Sequence, residues 1–330
     1  MTPLEIRPIK PSDKAALAGA VEQGSDDAVY PHPSTKEKQM SQTASTYVDA
    51  DTQVLSASNG VDYAYRATGT SDAPPLVALQ HFRGNLDSWD PALIDALAAR
   101  RQVITFDNRG VAATSGRTPN TIAQMALDAI DFIDGLAVGE VDLLGFSIGS
   151  FVAQEVALIR PSTVRKVVLA SSAPQGASGM HGWAPEVIDA VGKPEISGEE
   201  YISVFFAGSE SSRAAGQEVA GRVFGARTTD RDAATDWQTR LAQYDAVCTW
   251  GQPNHSMLER VSAIDKPVFV ANGDSDPMIL PRYSHLLAGL IPGARLKIYP
   301  DSAHGFLYQH RAEFAADLDA FLNPKEGSSS

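Results

Sequence analysis

Short apolar runs alternate with amphipathic segments along most of this chain, and this alternation limits its possible folds more than any other feature. Six buried strands are predicted, at 75–80, 102–106, 141–145, 164–170, 267–271 and 295–299. Helices are predicted at 91–99, 121–134, 148–159, 281–290 and 311–322. Continuous apolar strands are typical of parallel sheets covered by helices on both faces. The pattern therefore predicts an α/β fold with a mostly parallel sheet.

Two local signals add detail to this pattern. Asn59-Gly60 separates two strand-like segments, 53–57 and 61–66, and Asn-Gly readily takes the positive φ angles of a tight hairpin turn. Thr121 and Gln124 have the spacing of a capping box at the start of the clearest helix. We therefore expect a hairpin at the beginning of the sheet and a helix that starts after Thr121.

The alternation divides the chain into segments. Residues 46–171 and 265–324 form the predicted α/β core, and 172–264, which has helical segments but no clear strand, is predicted to be a helical cap over the carboxyl ends of the strands. Residues 1–45 resemble the first strand and helix of an acetyltransferase domain followed by a polar linker, and we expect them to be dispensable. Residues 325–330 are expected to be a disordered tail.

Composition excludes several function classes. The net charge of −13 disfavours nucleic acid as a partner. A single cysteine, Cys248, excludes an intrachain disulfide and a multi-cysteine metal site. Neither a signal peptide nor an apolar run long enough to cross a membrane is present, so a soluble, cytoplasmic protein is expected. No cofactor and no metal are predicted, and the sequence leaves the oligomeric state open.

The segment around Ser147 carries the strongest chemical signal. Gly145-Phe146-Ser147-Ile148-Gly149 joins a predicted strand directly to a predicted helix. This sharp turn exposes the serine Oγ at the tip of the strand, and the flanking glycines let strand and helix approach each other. A lone Gly-x-Ser-x-Gly recurs by chance, but the strand before it and the helix after it supply the required context. Ser147 is therefore the predicted nucleophile.

A serine nucleophile needs a general base, which in turn needs an anionic partner. His304 follows the last predicted strand and precedes the last helix, so its loop can carry the imidazole over the edge of the sheet. Asp274 and Asp276 both lie in the loop after strand 267–271 and both qualify by position. The chain order Ser147, aspartate, His304 is that of a hydrolase triad.

Two backbone N–H groups are the candidate oxyanion donors. Ile148 begins the helix after the serine, and Phe82 lies in the loop after strand 75–80. His81 precedes Phe82 and is expected to shape this loop or to contact substrate. Aromatic and methionine side chains of the cap are candidates for a substrate pocket, namely Met180, Trp183, Phe205, Phe206, Tyr244 and Trp250.

From about Thr52 to Leu322 the chain resembles the α/β-hydrolase superfamily. The resemblance rests on the motifs His81-Phe82-Arg83-Gly84, Asp107-Asn108-Arg109-Gly110, Gly145 to Gly149, Gly273 to Asp276 and Ser302 to Gly305. It implies the α/β-hydrolase fold, with a mostly parallel central sheet flanked by helices and a cap insertion. It also favours Asp276 over Asp274 as the triad acid. Related enzymes carry His-Gly-x where this chain has Gln80-His81-Phe82.

The chain is also similar to bacterial EstX-type esterases, which are linked to macrolide resistance. This resemblance implies a serine carboxylic ester hydrolase that opens the lactone of a macrolide antibiotic through an acyl-enzyme. The same triad also serves acyl-homoserine-lactone hydrolases, C–C bond hydrolases and cofactor-free haloperoxidase-like enzymes. A non-catalytic ligand receptor on the same scaffold is a further alternative.

Overall fold

The computed structural model describes residues 46–323, and all structural statements below concern this range. The predicted acetyltransferase-like segment at 1–45 and the predicted tail at 325–330 lie outside it. One eight-stranded sheet runs through the described part of the chain. Its strands are β1 (Gln53–Ser56), β2 (Asp62–Thr68), β3 (Leu76–Leu79), β4 (Val103–Phe106), β5 (Val141–Phe146), β6 (Val164–Ala170), β7 (Val268–Gly273) and β8 (Arg295–Tyr299).

The strand order is β1-β2-β4-β3-β5-β6-β7-β8. β2 pairs antiparallel with both β1 and β4, and every other neighbouring pair is parallel. The central strands β3 and β5 are buried along their whole length, as expected for strands covered on both faces. The predicted α/β fold with a mostly parallel sheet is confirmed.

Eleven α-helices accompany the sheet in the described range. They are α1 (Pro91–Ala98), α2 (Ile122–Leu136), α3 (Ile148–Ile159), α4 (Pro185–Val191), α5 (Gly198–Phe205), α6 (Glu210–Gly225), α7 (Trp237–Trp250), α8 (His255–Arg260), α9 (Pro281–Leu290), α10 (Phe306–Gln309) and α11 (Arg311–Leu322). Helices α4 to α8 lie between β6 and β7, in the segment predicted to form the cap. Among these helices, none is long and apolar enough to cross a bilayer.

Two local expectations need correction. In the β1–β2 hairpin only Gly60 has a positive φ, of 77°, because the Gly60 N–H closes a four-residue turn on the Ala57 carbonyl and Asn59 instead accepts from the Val61 N–H. At the start of α2, Thr121 caps the Gln124 N–H, but the Gln124 side chain reaches forward to Asp128. The reciprocal half of the capping box is therefore not formed.

Candidate active site

Ser147 lies at the junction of β5 and α3 in a strained backbone conformation. Its φ of 56° and ψ of −123° place a non-glycine residue in a region that side chains rarely adopt. A Cβ on Gly149 would lie 2.2 Å from the Leu79 carbonyl oxygen, and one on Gly145 would lie 2.5 Å from the Gly149 oxygen. Glycine at both positions thus allows α3 to start against the ends of β3 and β5, which forces the sharp turn at the serine.

The serine is nearly covered. It is 3% exposed, and its N–H donates to the Ala170 carbonyl at 2.9 Å. Its Oγ makes no hydrogen bond to any group within residues 46–323. The hydroxyl is thus not held by a structural partner, as expected of a group that must donate its proton during a reaction.

His304 and Asp276 form a buried pair. His304 Nδ1 lies 2.8 Å from Asp276 Oδ2, and the two side chains are 1% and 0% exposed. The other carboxylate oxygen of Asp276 accepts the N–H groups of Met278 and Ile279 at 2.9 and 3.0 Å. An ionised Asp276 requires the proton on Nδ1 of a neutral His304, which leaves Nε2 free to act as a base.

Asp274 has a different position. Its carboxylate accepts the backbone N–H groups of Asp301 and Ser302, at 2.9 and 3.2 Å, and the hydroxyl of Ser275. It therefore braces the loop between β8 and His304 from outside, while Asp276 alone of the two bonds the imidazole.

The structure brings Ser147 and His304 to the same edge of the sheet without a hydrogen bond between them. The ring of Phe146, the residue before the serine, lies 5.1 Å from the His304 ring, measured between centroids. The loop of His304 is also tied to the end of β6, since Ser171 Oγ donates to the His304 carbonyl at 3.2 Å. Catalytic hydrogen bonds are often long in unliganded enzymes and shorten in the substrate complex.

The two candidate oxyanion donors are unengaged. Neither the Phe82 N–H nor the Ile148 N–H donates to another group of residues 46–323. Ile148 is the first residue of α3, where backbone N–H groups have no acceptor within the helix. The close approach of Gly149 to Leu79 holds this helix start against the end of β3, from which the Phe82 loop continues.

His81 is a buried neighbour of His304. Its Nδ1 lies 2.9 Å from the Phe82 carbonyl oxygen, and its ring packs edge-on against Phe146 and Phe205, each with a centroid distance of 5.3 Å. The pKa of His81 is lowered to about 4, chiefly by burial, which outweighs the opposing bond to Phe82 and is reinforced by the nearby His304. His81 is therefore neutral at pH 7.

A cavity of about 540 Å³ lies between the Phe82 loop and the cap and includes His304 in its wall. Its lining residues are His81, Phe82, Arg83, Asn85, Ser88, Val191, Pro194, Glu195, Ile196, Tyr201, Phe205, Val223, Phe224, Arg231, Asp232, Ala234, Thr235, Met278 and His304. Ser147 is not among them. A molecule bound in this cavity would therefore contact His304 and the Phe82 loop, whereas the nearly covered Ser147 lies outside the cavity wall.

Most of the cap residues predicted to contact substrate lie outside the wall of this cavity. Of the six cap candidates only Phe205 lines it. Trp250 instead stacks on Phe151 of α3 at 5.2 Å and donates to the Ala173 carbonyl, which fastens the cap to the core. Phe206 packs on α6, where a Cβ on Gly216 would lie 2.9 Å from its ring.

The other three candidates pack beside the cavity. Trp183 lies edge-on against the Phe82 ring at 5.0 Å and tilted against Tyr244 at 5.1 Å. Met180 is buried, and its carbonyl oxygen lies against Gly251 at the end of α7. These aromatic and methionine side chains belong to the packed interior of the cap, because each buries its apolar surface against other residues of the cap or the core.

The cavity wall that the sequence did not indicate consists mainly of smaller aliphatic and polar residues. The contributing residues are Tyr201 on α5, Val223 and Phe224 on α6, and Arg231, Asp232, Ala234 and Thr235 in the segment before α7. The cap candidates were chosen by residue type, as aromatic and methionine side chains. Which cap residues line the cavity depends instead on which side of each cap helix is turned toward the sheet. The amphipathic spacing of Tyr201 and Phe205 on α5 is the one sequence signal that could have indicated this wall.

No group of three or more His, Cys, Asp or Glu side chains is arranged to hold a metal ion within residues 46–323. A strained serine at the sheet edge that also holds a buried His–Asp pair is an arrangement that can support nucleophilic acyl transfer.

Comparison with known proteins agrees with the fold. A family model described as alpha/beta hydrolase fold matches residues 74–311. The chain belongs to this family. A solved structure of an alpha/beta hydrolase fold protein from Chitinophaga pinensis is 38% identical, covers 84% of this chain and 99% of that chain, and superposes with a TM-score of 0.79.

Two curated relatives cover most of the chain as well. A Mycobacterium tuberculosis protein, provisionally named non-heme bromoperoxidase BpoC, is 29% identical over 80% of this chain and 99% of its own length. The mouse serine hydrolase BPHL is 23% identical over 84% of this chain and 88% of its own. Similarity therefore extends over most of the length of both relatives and is not limited to the serine motif.

Proposed function

We propose that this protein is a serine carboxylic ester hydrolase that works through an acyl-enzyme. The observation that carries the proposal is the His304–Asp276 pair of 2.8 Å at the sheet edge where the strained Ser147 ends β5. A buried imidazole with one nitrogen bound to a carboxylate and the other free is the arrangement that activates a serine.

In the proposed reaction His304 Nε2 takes the proton of Ser147 Oγ as the oxygen attacks the ester carbonyl. The N–H groups of Phe82 and Ile148 stabilise the negative oxygen of the tetrahedral intermediate. His304 then protonates the departing alcohol, and a water activated by the same imidazole releases the acid. Asp276 keeps Nδ1 protonated and stabilises the imidazolium formed in each half-reaction.

Covalent labelling tests this proposal. A fluorophosphonate probe should attach to Ser147, as mapped by peptide mass spectrometry, and Ser147→Ala should lose labelling and at least about 10³-fold in turnover of p-nitrophenyl esters. Ser203→Ala is the matched control, because Ser203 is an exposed serine on α5 whose hydroxyl donates only to the Glu200 carbonyl. Wild-type turnover in Ser147→Ala would refute the proposal.

The finer proposal concerns the ester, which we propose to be the lactone of a macrolide. The resemblance to EstX-type esterases supports it. Incubation of large-ring macrolides with wild type and with Ser147→Ala, followed by mass spectrometry, tests it. If p-nitrophenyl esters are hydrolysed and no macrolide gains one water, the macrolide proposal fails and the esterase proposal stands.

A haloperoxidase-like activity is the second candidate, because the similarity to BpoC covers 99% of that protein. Bromination of monochlorodimedone with hydrogen peroxide and a carboxylic acid, compared between wild type and Ser147→Ala, measures it. Ser147-dependent bromination faster than ester hydrolysis would favour this candidate.

A further inference from the structure

Arg83 has an unusual backbone conformation next to the candidate oxyanion donor Phe82. Its φ is 63°, in the left-handed region that favours glycine. The turn is closed by the Gly84 N–H, which donates to the His81 carbonyl at 3.0 Å. A strained residue of this kind persists only where its surroundings hold it in place.

The cap holds the backbone of Arg83. Its N–H donates to Gln243 Oε1 on α7 at 2.7 Å, and its carbonyl accepts the Thr235 hydroxyl at 2.6 Å. Thr235 belongs to the segment that joins α6 to α7. Both main-chain polar groups of Arg83 are thus bonded to cap side chains.

The guanidinium of Arg83 bonds a third part of the cap. It donates to the main-chain carbonyls of Val191, Lys193 and Pro194, at 3.3, 2.5 and 2.7 Å, at the end of α4 and in the segment that follows it. One residue of the core loop therefore makes hydrogen bonds with three separate stretches of the cap, as donor to two of them and as acceptor from the third. Arg suits this role because its planar fork can satisfy several carbonyls at once.

The remainder of the loop is fixed by the core. Gln80 Oε1 accepts the His81 N–H at 2.8 Å, and Gln80 Nε2 donates to the Asn85 carbonyl at 3.1 Å. These bonds hold the two ends of the loop. Between these ends the loop holds itself through the Gly84 N–H bond to the His81 carbonyl and the contact of His81 Nδ1 with the Phe82 carbonyl. The cap adds its bonds to Arg83 and the contact of Trp183 with the Phe82 ring.

We propose that Arg83 is a positioning residue through which the cap sets the direction of the Phe82 N–H. The three sets of cap hydrogen bonds keep the left-handed turn, and the turn aims the preceding N–H at the oxyanion. This inference rests on the proposed function, in which Phe82 stabilises the oxyanion. A donor misplaced by about 1 Å is expected to cost up to about 100-fold in rate while leaving substrate binding nearly unchanged.

Gln243→Met tests the inference without altering the cavity, which Gln243 does not line. It removes the acceptor of the Arg83 N–H but keeps the length of the side chain. Thr239→Val is the matched control, since it removes a hydrogen bond from the same helix to the core, at the Gly110 carbonyl, away from Phe82. With p-nitrophenyl butyrate we expect kcat to fall about tenfold or more in Gln243→Met, with KM within about twofold, and to stay within about twofold in Thr239→Val.

Two further measurements separate positioning from simple stability. The Ki of a trifluoromethyl ketone, which forms a tetrahedral adduct with the serine, should rise in Gln243→Met by the same factor by which kcat falls. Arg83→Gly keeps the left-handed turn accessible but removes the guanidinium, so a similar loss in kcat assigns the effect to the bonds with the cap. Arg83→Lys, which can reach only part of the three carbonyls, should fall between wild type and Arg83→Gly.

The inference is overturned if Gln243→Met and Thr239→Val change kcat and Ki equally, or if Arg83→Gly retains wild-type kcat. Activity of Ser147→Ala, measured in parallel, distinguishes failure of the proposed function from failure of the role assigned to Arg83. Activity retained in Ser147→Ala refutes the proposed function, whereas an inactive Ser147→Ala with unaltered Gln243→Met refutes only the role of Arg83.

Discussion

Two histidines share the candidate site, and their immediate partners give them different chemistry. His304 faces the carboxylate of Asp276, which can stabilise a positive imidazolium. His81 faces the carbonyl of Phe82 and is otherwise enclosed by Phe146 and Phe205, so that burial lowers its pKa to about 4. Only His304 therefore has the surroundings of a general base that must carry a charge during the reaction.

Asp276 and Asp274 offer a matched pair for testing the triad. Asp276→Asn should lower kcat by about 10⁴-fold, because the amide disfavours the required tautomer and cannot stabilise the imidazolium. Asp274→Asn should retain kcat within a few-fold and lose stability, since its carboxylate accepts two backbone N–H groups of the loop before His304. Ester turnover and thermal unfolding measure the two effects, and the reverse order of activities would reassign the acid.

The depressed pKa of His81 predicts acid sensitivity. As the pH falls below about 6.5, the unfolded chain binds a proton on this histidine that the folded protein does not accept until about pH 4. The contribution of neutral His81 to the free energy of unfolding is therefore fully present above about pH 6.5 and is lost as the pH falls toward 4. Between pH 7 and pH 5 the free energy of unfolding should fall by about 2 kcal/mol from this group.

The variant His81→Asn isolates this contribution, since the Asn amide can replace Nδ1 as donor to Phe82. The free energy of unfolding is measured with urea for both proteins at pH 7 and pH 5. Between these pH values the wild type should lose about 2 kcal/mol more than the variant. A difference that does not depend on pH would show that His81 titrates normally in the folded protein.

At the scale of elements, the junction of β5 and α3 positions the site. The helix starts within van der Waals contact of the β3 end, because Gly149 has no side chain to separate them. This approach brings the Ile148 N–H to the same edge of the sheet as the Phe82 loop. It also forces the sharp turn that places Ser147 at the end of β5. The geometry of the nucleophile thus depends on two glycines that take no part in the chemistry.

Gly149→Ala should disrupt this junction. The added Cβ would overlap the carbonyls of Leu79 and Gln80, both backbone atoms that cannot rotate away, so we expect a loss of about 3 kcal/mol or more and lost fluorophosphonate labelling. Gly221→Ala on α6 is the control, as no atom lies within 4 Å of its Cβ position. That substitution should stabilise the protein by about 0.5–1 kcal/mol because alanine favours a helix. Thermal unfolding that ranks the two variants otherwise would contradict this account.

At the scale of the whole molecule, ion pairs between partly exposed arginines of the cap and buried carboxylates of the core attach the cap. Arg222 on α6 donates twice to Asp90, at 2.9 and 2.8 Å, and Asp90 in turn caps α1. Arg260 on α8 pairs with Glu155 of α3. Such pairs add specificity to the docking of the cap, since a wrong position would leave a carboxylate buried without a partner.

Arg222→Met should lower the free energy of unfolding by about 3–5 kcal/mol, because Asp90 is fully buried and would lose its countercharge. Adding Asp90→Asn should restore part of this loss by removing the unpaired charge. Arg213→Met, which breaks the exposed pair with Glu199, should cost under about 1 kcal/mol. Urea denaturation of the four proteins measures these differences, and equal effects of Arg222→Met and Arg213→Met would refute the argument.

The sequence by itself determined the elements that local chemistry defines. The apolar runs located the strands within one or two residues, and helices α3, α9 and α11 have the predicted bounds. The serine motif at the β5–α3 junction and the loop of His304 could be found because glycine spacing and position after a strand are properties of a short stretch of chain. These features follow from backbone sterics and hydrophobic periodicity, which act over a few residues.

Only the tertiary structure decided which groups meet. Asp274 and Asp276 are two residues apart, and the fold of their loop alone turns one to His304 and the other outward. The sequence also did not determine which face of each cap helix is turned toward the core and which toward the cavity. In the structure Trp250 packs on α3, whereas Tyr201 lines the cavity. The strained turn at Arg83 had no sequence signal, because the partners that hold it are more than 100 residues away in the chain. Contacts between distant segments depend on how whole elements pack, and no local pattern records that packing.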